Sequence, residues 1–172
     1  CLWLPDRRVL VQIEMPVDGV DLWILDLETD HRVPIRLPSE VLWGMNAGMT
    51  LMPAREAFGA NKTGNDRTAI YVVGMDGQPR GSVVIPGIAG ELDYDKGRDR
   101  LIVPSMTEDV MWFVHPDTMA LDGHDMPNGG REMVFLEDGL IAVANYLRGH
   151  IYIYDPDARQ IDRTADVPLR GD

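Results

Sequence analysis

Met111-Trp112-Phe113-Val114-His115 and Ile151-Tyr152-Ile153-Tyr154-Asp155 are two copies of one pattern. Each runs through an aliphatic or thioether residue, an aromatic and two further apolar or aromatic residues, and then stops. The same pattern stands earlier as Leu22-Trp23-Ile24-Leu25-Asp26 and Ile70-Tyr71-Val72-Val73-Gly74. The closing residues Asp26, Gly74, His115 and Asp155 are separated by 48, 41 and 40 residues. Such runs are too short for an amphipathic helix, and they suit buried strands bounded by turns.

The flanks repeat in phase with these runs. A proline ends a segment twelve residues after each of the first three closing residues, at Pro38, Pro86 and Pro127, and thirteen after the fourth, at Pro168. Upstream lie apolar segments at 9–13, 49–52, 101–105 and 140–145, and further upstream at 2–4, 41–45, 91–94 and 132–135. Turn residues separate them, among them Pro5-Asp6, Asn46-Ala47-Gly48, Asp95-Lys96-Gly97 and Glu137-Asp138-Gly139. Four strands in a unit of roughly 40 residues is the period of a β-propeller blade. The predicted fold class is therefore all-β, a β-propeller with four blades of four antiparallel strands, A to D from the inside outward. The blades fall at about 1–39, 40–87, 88–128 and 129–172. Residues 53–67 read as a polar, glycine-containing insertion between strands B and C of the second unit, projecting as a loop. The four units leave three arrangements open: a segment of a longer propeller, a closed four-bladed ring, or a half-ring that pairs with another chain. Unpaired strand edges in the last case favour self-association.

Composition narrows the function. The 172 residues are 45% hydrophobic and 26% charged, the balance of a globular domain. No apolar run approaches the roughly 18 residues that span a bilayer. A net charge of −12, with 14 Arg and 2 Lys against 28 acids, argues against nucleic acid as a partner. The single cysteine, Cys1, excludes a disulfide framework and any zinc site needing two cysteines. Its position admits a lipid-bearing N-terminal cysteine as well as an arbitrary start.

Leu101-Ile102-Val103-Pro104-Ser105 followed by Val110-Met111-Trp112-Phe113-Val114-His115-Pro116-Asp117 resembles the YVTN/NHL-like β-propeller repeat families. So does Ile141-Ala142-Val143-Ala144-Asn145-Tyr146 followed by His150-Ile151-Tyr152-Ile153-Tyr154-Asp155-Pro156-Asp157. The resemblance implies a propeller, a periplasmic or extracellular setting, and a binding or scaffold role within a larger assembly. It also admits a lactonase-like hydrolase, a dehydrogenase subunit or an extracytoplasmic ligand-binding protein.

Each candidate for chemistry has a structural counterpart. Asp93, Asp95 and Asp99 read as calcium ligands or as a hairpin turn. His115, Asp117, Asp122, His124 and Asp125 read as metal ligands or as solvated and turn residues at the rim. Ser105 lacks a nucleophile elbow and shares its register with Asn145. Trp23, Tyr71, Trp112 and Tyr152 read as a carbohydrate-stacking row or, more simply, as inter-blade packing. No catalytic, metal or cofactor set is assigned. The B–C loops, 16–20, 53–67, 106–110 and 146–150, are the expected binding surface for a protein partner or ligand. Its candidate residues are Arg55, Glu56, Phe58, Asn61, Lys62, Asp66, Glu108, Asp109, Arg148 and His150, with Asp18 on the first loop.

Overall fold

The computed structural model describes residues 1–17, 20–38 and 45–167. Four antiparallel four-stranded meanders follow one another along the chain. The first comprises β1 (Leu2–Trp3), β2 (Arg8–Val17), β3 (Val20–Asp26) and β4 (Arg32–Ile35). The second comprises β5 (Met45–Met52), β6 (Ala57–Thr63), β7 (Arg67–Gly74) and β8 (Pro79–Pro86), with a 3-10 turn at Pro53–Arg55. The third comprises β9 (Asp93–Asp95), β10 (Arg100–Pro104), β11 (Val110–Val114) and β12 (Leu121–Asp125). The fourth comprises β13 (Gly130–Phe135), β14 (Ile141–Asn145), β15 (His150–Asp155) and β16 (Gln160–Asp166). There is no α-helix among the described residues. The four quoted apolar runs are the third strands β3, β7, β11 and β15.

The sheets pack in chain order, with inner strands meeting inner strands: β1 and β2 against β5, β5 against β9, β10 against β13. Period-two alternation sends one face of each strand to each neighbour. Leu10, Leu22, Ile24 and Ile35 of the first sheet meet Phe58, Ala60, Tyr71 and Val73 of the second. Ile70, Val72 and Ile85 on the opposite face of the second sheet meet Leu101, Val103 and Val114. Ile102, Met111 and Phe113 meet Ile141, Val143, Tyr152 and Tyr154. Among the described residues no hydrophobic cluster or hydrogen bond joins the fourth sheet to the first.

The repeated aromatics follow a rule. Tyr71 packs toward the first sheet, Trp112 against the cluster shared with the second, and Tyr152 toward the third. Each leans on the sheet before it. Tyr71 and Tyr152 are buried, whereas Trp112 is only half-buried, with its Nε1 enclosed and unpartnered. Trp23, by register, lies on the face of the first sheet that points away from the second, beside Val9, Val11 and Leu25, with Trp3 there 67% exposed.

The second sheet corrects the sequence reading. Residues 53–67 do not project as a loop. They form the 3-10 turn and β6, a central strand whose first six residues are buried. Residues 49–52, read as strand B, belong to the first strand β5, and the strand expected at 41–45 lies outside the described residues apart from Met45, which opens β5. The physical reason is close approach. A Cβ on Gly59 would sit 2.8 Å from Leu101 Cδ2 and 3.1 Å from Leu92 Cδ2, and one on Gly48 would sit 2.5 Å from Leu92 N. The small residues that made the segment look like a loop let the third sheet lie against the second.

Candidate functional site

A meander propeller has two ends. One carries the first–second and third–fourth strand turns, and the other carries the second–third turns with the connections between sheets. The ten candidate residues do not share an end. Arg55 and Glu56 stand at the β5–β6 turn, while Asp66, Glu108, Asp109, Arg148 and His150 stand at the opposite end, at or beside β6–β7, β10–β11 and β14–β15. Phe58, Asn61 and Lys62 lie inside the protein, on β6. Residues 18 and 19, including Asp18, lie outside the described residues.

The turn end is tied by a repeated arginine. Arg8, at the start of β2, donates Nη1–H to Met75 O at 3.3 Å, across to the β7–β8 turn. Arg55 donates Nε–H to Asp99 Oδ1 at 2.8 Å, and its Nη groups bind Asp99 and Asp117. Arg98 grips both oxygens of Asp157 at 2.7 and 2.6 Å, and binds Asp95 Oδ2 at 2.9 Å. Each arginine thus reaches from the β1–β2, β5–β6 or β9–β10 region to the third–fourth turn of the next sheet. The two-pronged guanidinium suits this bridge.

These bridges set the local titration. Hydrogen bonds from Arg55, then from Tyr94, hold Asp99 well below the usual carboxylate range. Its folded value lies below the unfolded value of about 3.9, so the bridge stabilises above that pH and is lost as pH falls through the folded value. Asp99 is half-exposed, so the screened contribution at neutral pH is about 1 kcal/mol or less. Arg55→Gln is expected to flatten the fall in melting temperature between about pH 4 and pH 2. An acid limb identical to that of the parent chain would show that the bridge contributes nothing.

The calcium reading of Asp93, Asp95 and Asp99 meets occupied oxygens. Asp95 Oδ1 accepts Gly97 N–H at 2.9 Å and Arg98 N–H at 3.1 Å, closing the hairpin. Asp93 Oδ1 accepts Thr50 Oγ1–H at 2.8 Å and Tyr94 N–H at 2.7 Å. Glu91 nearby titrates above its ordinary value through burial, then through Asp93 and Glu132. Among the described residues no three His, Cys, Asp or Glu side chains converge as a metal cage.

Ser105 and Asn145 have one structural role. Ser105 Oγ accepts the amides of Thr107 and Glu108 and donates to Ile88 O at 3.4 Å. Asn145 Oδ1 accepts Arg148 N–H at 3.0 Å, and its Nδ2 donates to Asn128 O at 2.6 Å. Each closes a second–third strand turn and latches it to the connection from the sheet before. At this end Tyr146 and Leu147 are exposed at 52% and 55%, beside exposed Arg148. Glu108 and Asp109 are exposed on the adjoining turn. Asp66 pairs with Arg67 at 3.0 Å, and His150 Nδ1 lies 2.9 Å from Asp166 Oδ1 without hydrogen-bond geometry.

His124 departs from its sequence reading. It is buried rather than solvated at the rim, with its ring 4.1 Å from that of Phe113. Nε2 lies 3.2 Å from Asp122 Oδ2, and Nδ1 lies 2.7 Å from Tyr154 Oη. An ionised carboxylate only accepts, so Nε2 carries a proton toward Asp122. Burial pushes the Tyr154 phenol up to about 12. The sequence signal available for this contact was the alternation along β12, which sets His124 opposite Met111 on the inward face.

No protein-family model matches the chain, and no curated protein matches it in sequence. Solved structures do match it. Virginiamycin B lyase from Staphylococcus aureus aligns over 88% of this chain and 50% of its own, with 11% identity and a TM-score of 0.72. A nidogen/laminin complex aligns over 93% and 59%, with 12% identity and a TM-score of 0.71. The dihydro-heme d1 dehydrogenase NirN aligns over 96% and 37%, with 15% identity and a TM-score of 0.68. At these identities the likeness is one of fold, and the fold is a β-propeller. The chain spans between about a third and three fifths of the length of these structures.

Proposed function

We propose that the chain is a non-catalytic binding or scaffold propeller of YVTN/NHL-like repeats, working as a domain or subunit of a larger assembly. The observation that carries this reading is the pair of unmatched sheet faces. Trp23 stands in register with three aromatics that each pack on the preceding sheet, and no described sheet precedes it. On the fourth sheet Val134, Ala142, Ala144, Ile151 and Ile153 share the face turned away from the third, and Val134 is 56% exposed. Apolar faces of this kind are covered in repeat proteins by the next repeat. Further blades, from a longer chain or from another chain, supply that cover.

The second–third turn end offers the partner surface. Tyr146 and Leu147 supply apolar anchors, with Asp66, Glu108, Asp109, Arg148 and His150 as a polar rim. No helix of the described residues is long and apolar enough to cross a membrane.

Light scattering and native mass spectrometry of the 172-residue chain test the reading. Association through the open faces is expected, and Trp23→Glu and Val134→Lys should each abolish it. A stable monomer whose melting is indifferent to both substitutions would sink the proposal. Turnover of a lactone or a redox substrate would favour the lactonase-like or dehydrogenase alternatives. A sugar or metal held at the end face would favour an extracytoplasmic ligand-binding protein.

A further inference from the structure

A cleft of about 420 Å³ opens between the third and fourth sheets, at the end that carries the β9–β10 and β15–β16 turns. Three arginines line it, Arg98, Arg100 and Arg159, in a chain whose net charge is −12. Its acids are already engaged. Asp157 gives both oxygens to Arg98, and Asp122 Oδ2 takes Arg159 Nη2–H at 2.8 Å and His124 Nε2–H at 3.2 Å.

The donors are not used up. A guanidinium has five N–H donors and no acceptor. Arg159 is seen to use one of them on Asp122. Arg100, half-buried on the wall of the third sheet, has no side-chain hydrogen bond or ion pair among the described residues. By alternation along β10 it shares the face of Ile102, which is packed toward the fourth sheet. Two guanidinium groups with open donors therefore border a cleft whose carboxylates already have partners. Phe113 and Pro156 close the floor of the same cleft, and both are buried.

We infer that this cleft binds a small oxyanion, a carboxylate or phosphate, through Arg100 and Arg159. Arg98 frames the site by holding the two sheets together through Asp157. Tyr154 and Asp122 hold the His124 ring beneath it. The inference is independent of how the open faces of the first and fourth sheets are covered.

Calorimetry and NMR of the arginine Nε–H resonances, on the full 172-residue chain, test it with benzoate, acetate and inorganic phosphate as probes. A carboxylate (benzoate or acetate) or phosphate is expected to shift the Arg100 and Arg159 signals. Response to one of the two anion types alone supports the site and names its ligand class. Arg100→Gln is expected to weaken binding at least about tenfold, the scale of a lost charge-assisted pair. Its melting temperature should stay close to that of the parent chain, because Arg100 has no bond to lose. Arg159→Gln gives a second, independent loss, and Arg36→Gln, at an exposed arginine just after β4, should leave affinity unchanged. No response to any probe at about 10 mM overturns the inference. So does full affinity in Arg100→Gln, or an equal loss in Arg36→Gln, which would mark diffuse charge attraction.

Discussion

Phe58→Ala is expected to destabilise the chain by about 3–5 kcal/mol, as the loss of a large side chain from a well-packed core does. Phe58 is 0% exposed and sits between the first and second sheets with Leu10, Leu22, Ala60 and Tyr71. The site has little room to collapse. On its carbonyl side the strand continues into Gly59, already held against Leu101 of the third sheet and Leu92 just before it. Backbone movement that filled a cavity at Phe58 would open one at Gly59. Replacing residues 53–67 by a short turn should go further and prevent folding. It deletes β6, which carries the ladders to both β5 and β7. Urea melts read both results. A loss below about 1 kcal/mol in Phe58→Ala would place the segment at the surface, as would cooperative folding of the shortened chain.

The second sheet also shows where a sequence is legible and where it is not. Strands β3, β7, β11 and β15 announce themselves because each is an unbroken apolar run that needs both faces covered. Their aromatic position keeps one phase through four copies, and that phase alone identifies the packing direction. β6 reads Ala57-Phe58-Gly59-Ala60-Asn61-Lys62-Thr63, a composition depleted in β-branched residues. Its strand character comes from its neighbours: paired on both edges and pressed from both faces, it favours small side chains over bulky ones. Nothing local records that pressure. The extra length of the second unit was visible, and an inserted loop was the simplest local explanation of it.

The site was legible in the same uneven way. Asp95 reads as a hairpin-turn residue, Ser105 and Asn145 as equivalent strand ends and Asp155 as the residue closing an apolar run, and the side chains of all four cap backbone amides. Such bonds span two or three residues, so sequence neighbours suffice to show them. The arginine bridges and the His124–Tyr154 contact join residues 30 to 67 positions apart. A sequence shows their residue types, but only the inter-sheet geometry pairs them. The same limit explains why ten candidate residues assigned to one surface fall at two ends and in the interior.

Lys62→Ala is expected to cost about 3–5 kcal/mol, as does breaking a buried ion pair from one side. Lys62 Nζ lies 3.0 Å from Asp21 Oδ1, joining β6 to β3 across the sheet interface, and the two side chains are 9% and 5% exposed. Asp21 Oδ2 also accepts the Leu37 amide at 2.9 Å. Removing the ammonium strands a buried carboxylate, and the remaining hydrogen bond cannot balance its charge. Removing both charges is a different experiment. In Asp21→Asn with Lys62→Met, the amide oxygen still accepts from Leu37, the methionine fills the space of the lysine stem, and no buried charge remains. The double variant is therefore expected to recover most of the stability lost in Lys62→Ala, since a buried pair offsets much of its own desolvation cost. Denaturant midpoints of the two variants and the parent chain decide the matter. If Lys62→Ala loses less than about 1 kcal/mol, water reaches the pair and the interface between the first two sheets is looser than its burial indicates. If the double variant is as unstable as Lys62→Ala, the pair is a net stabiliser of that interface, and the ion pair itself, beyond the apolar packing around it, holds the first sheet to the second.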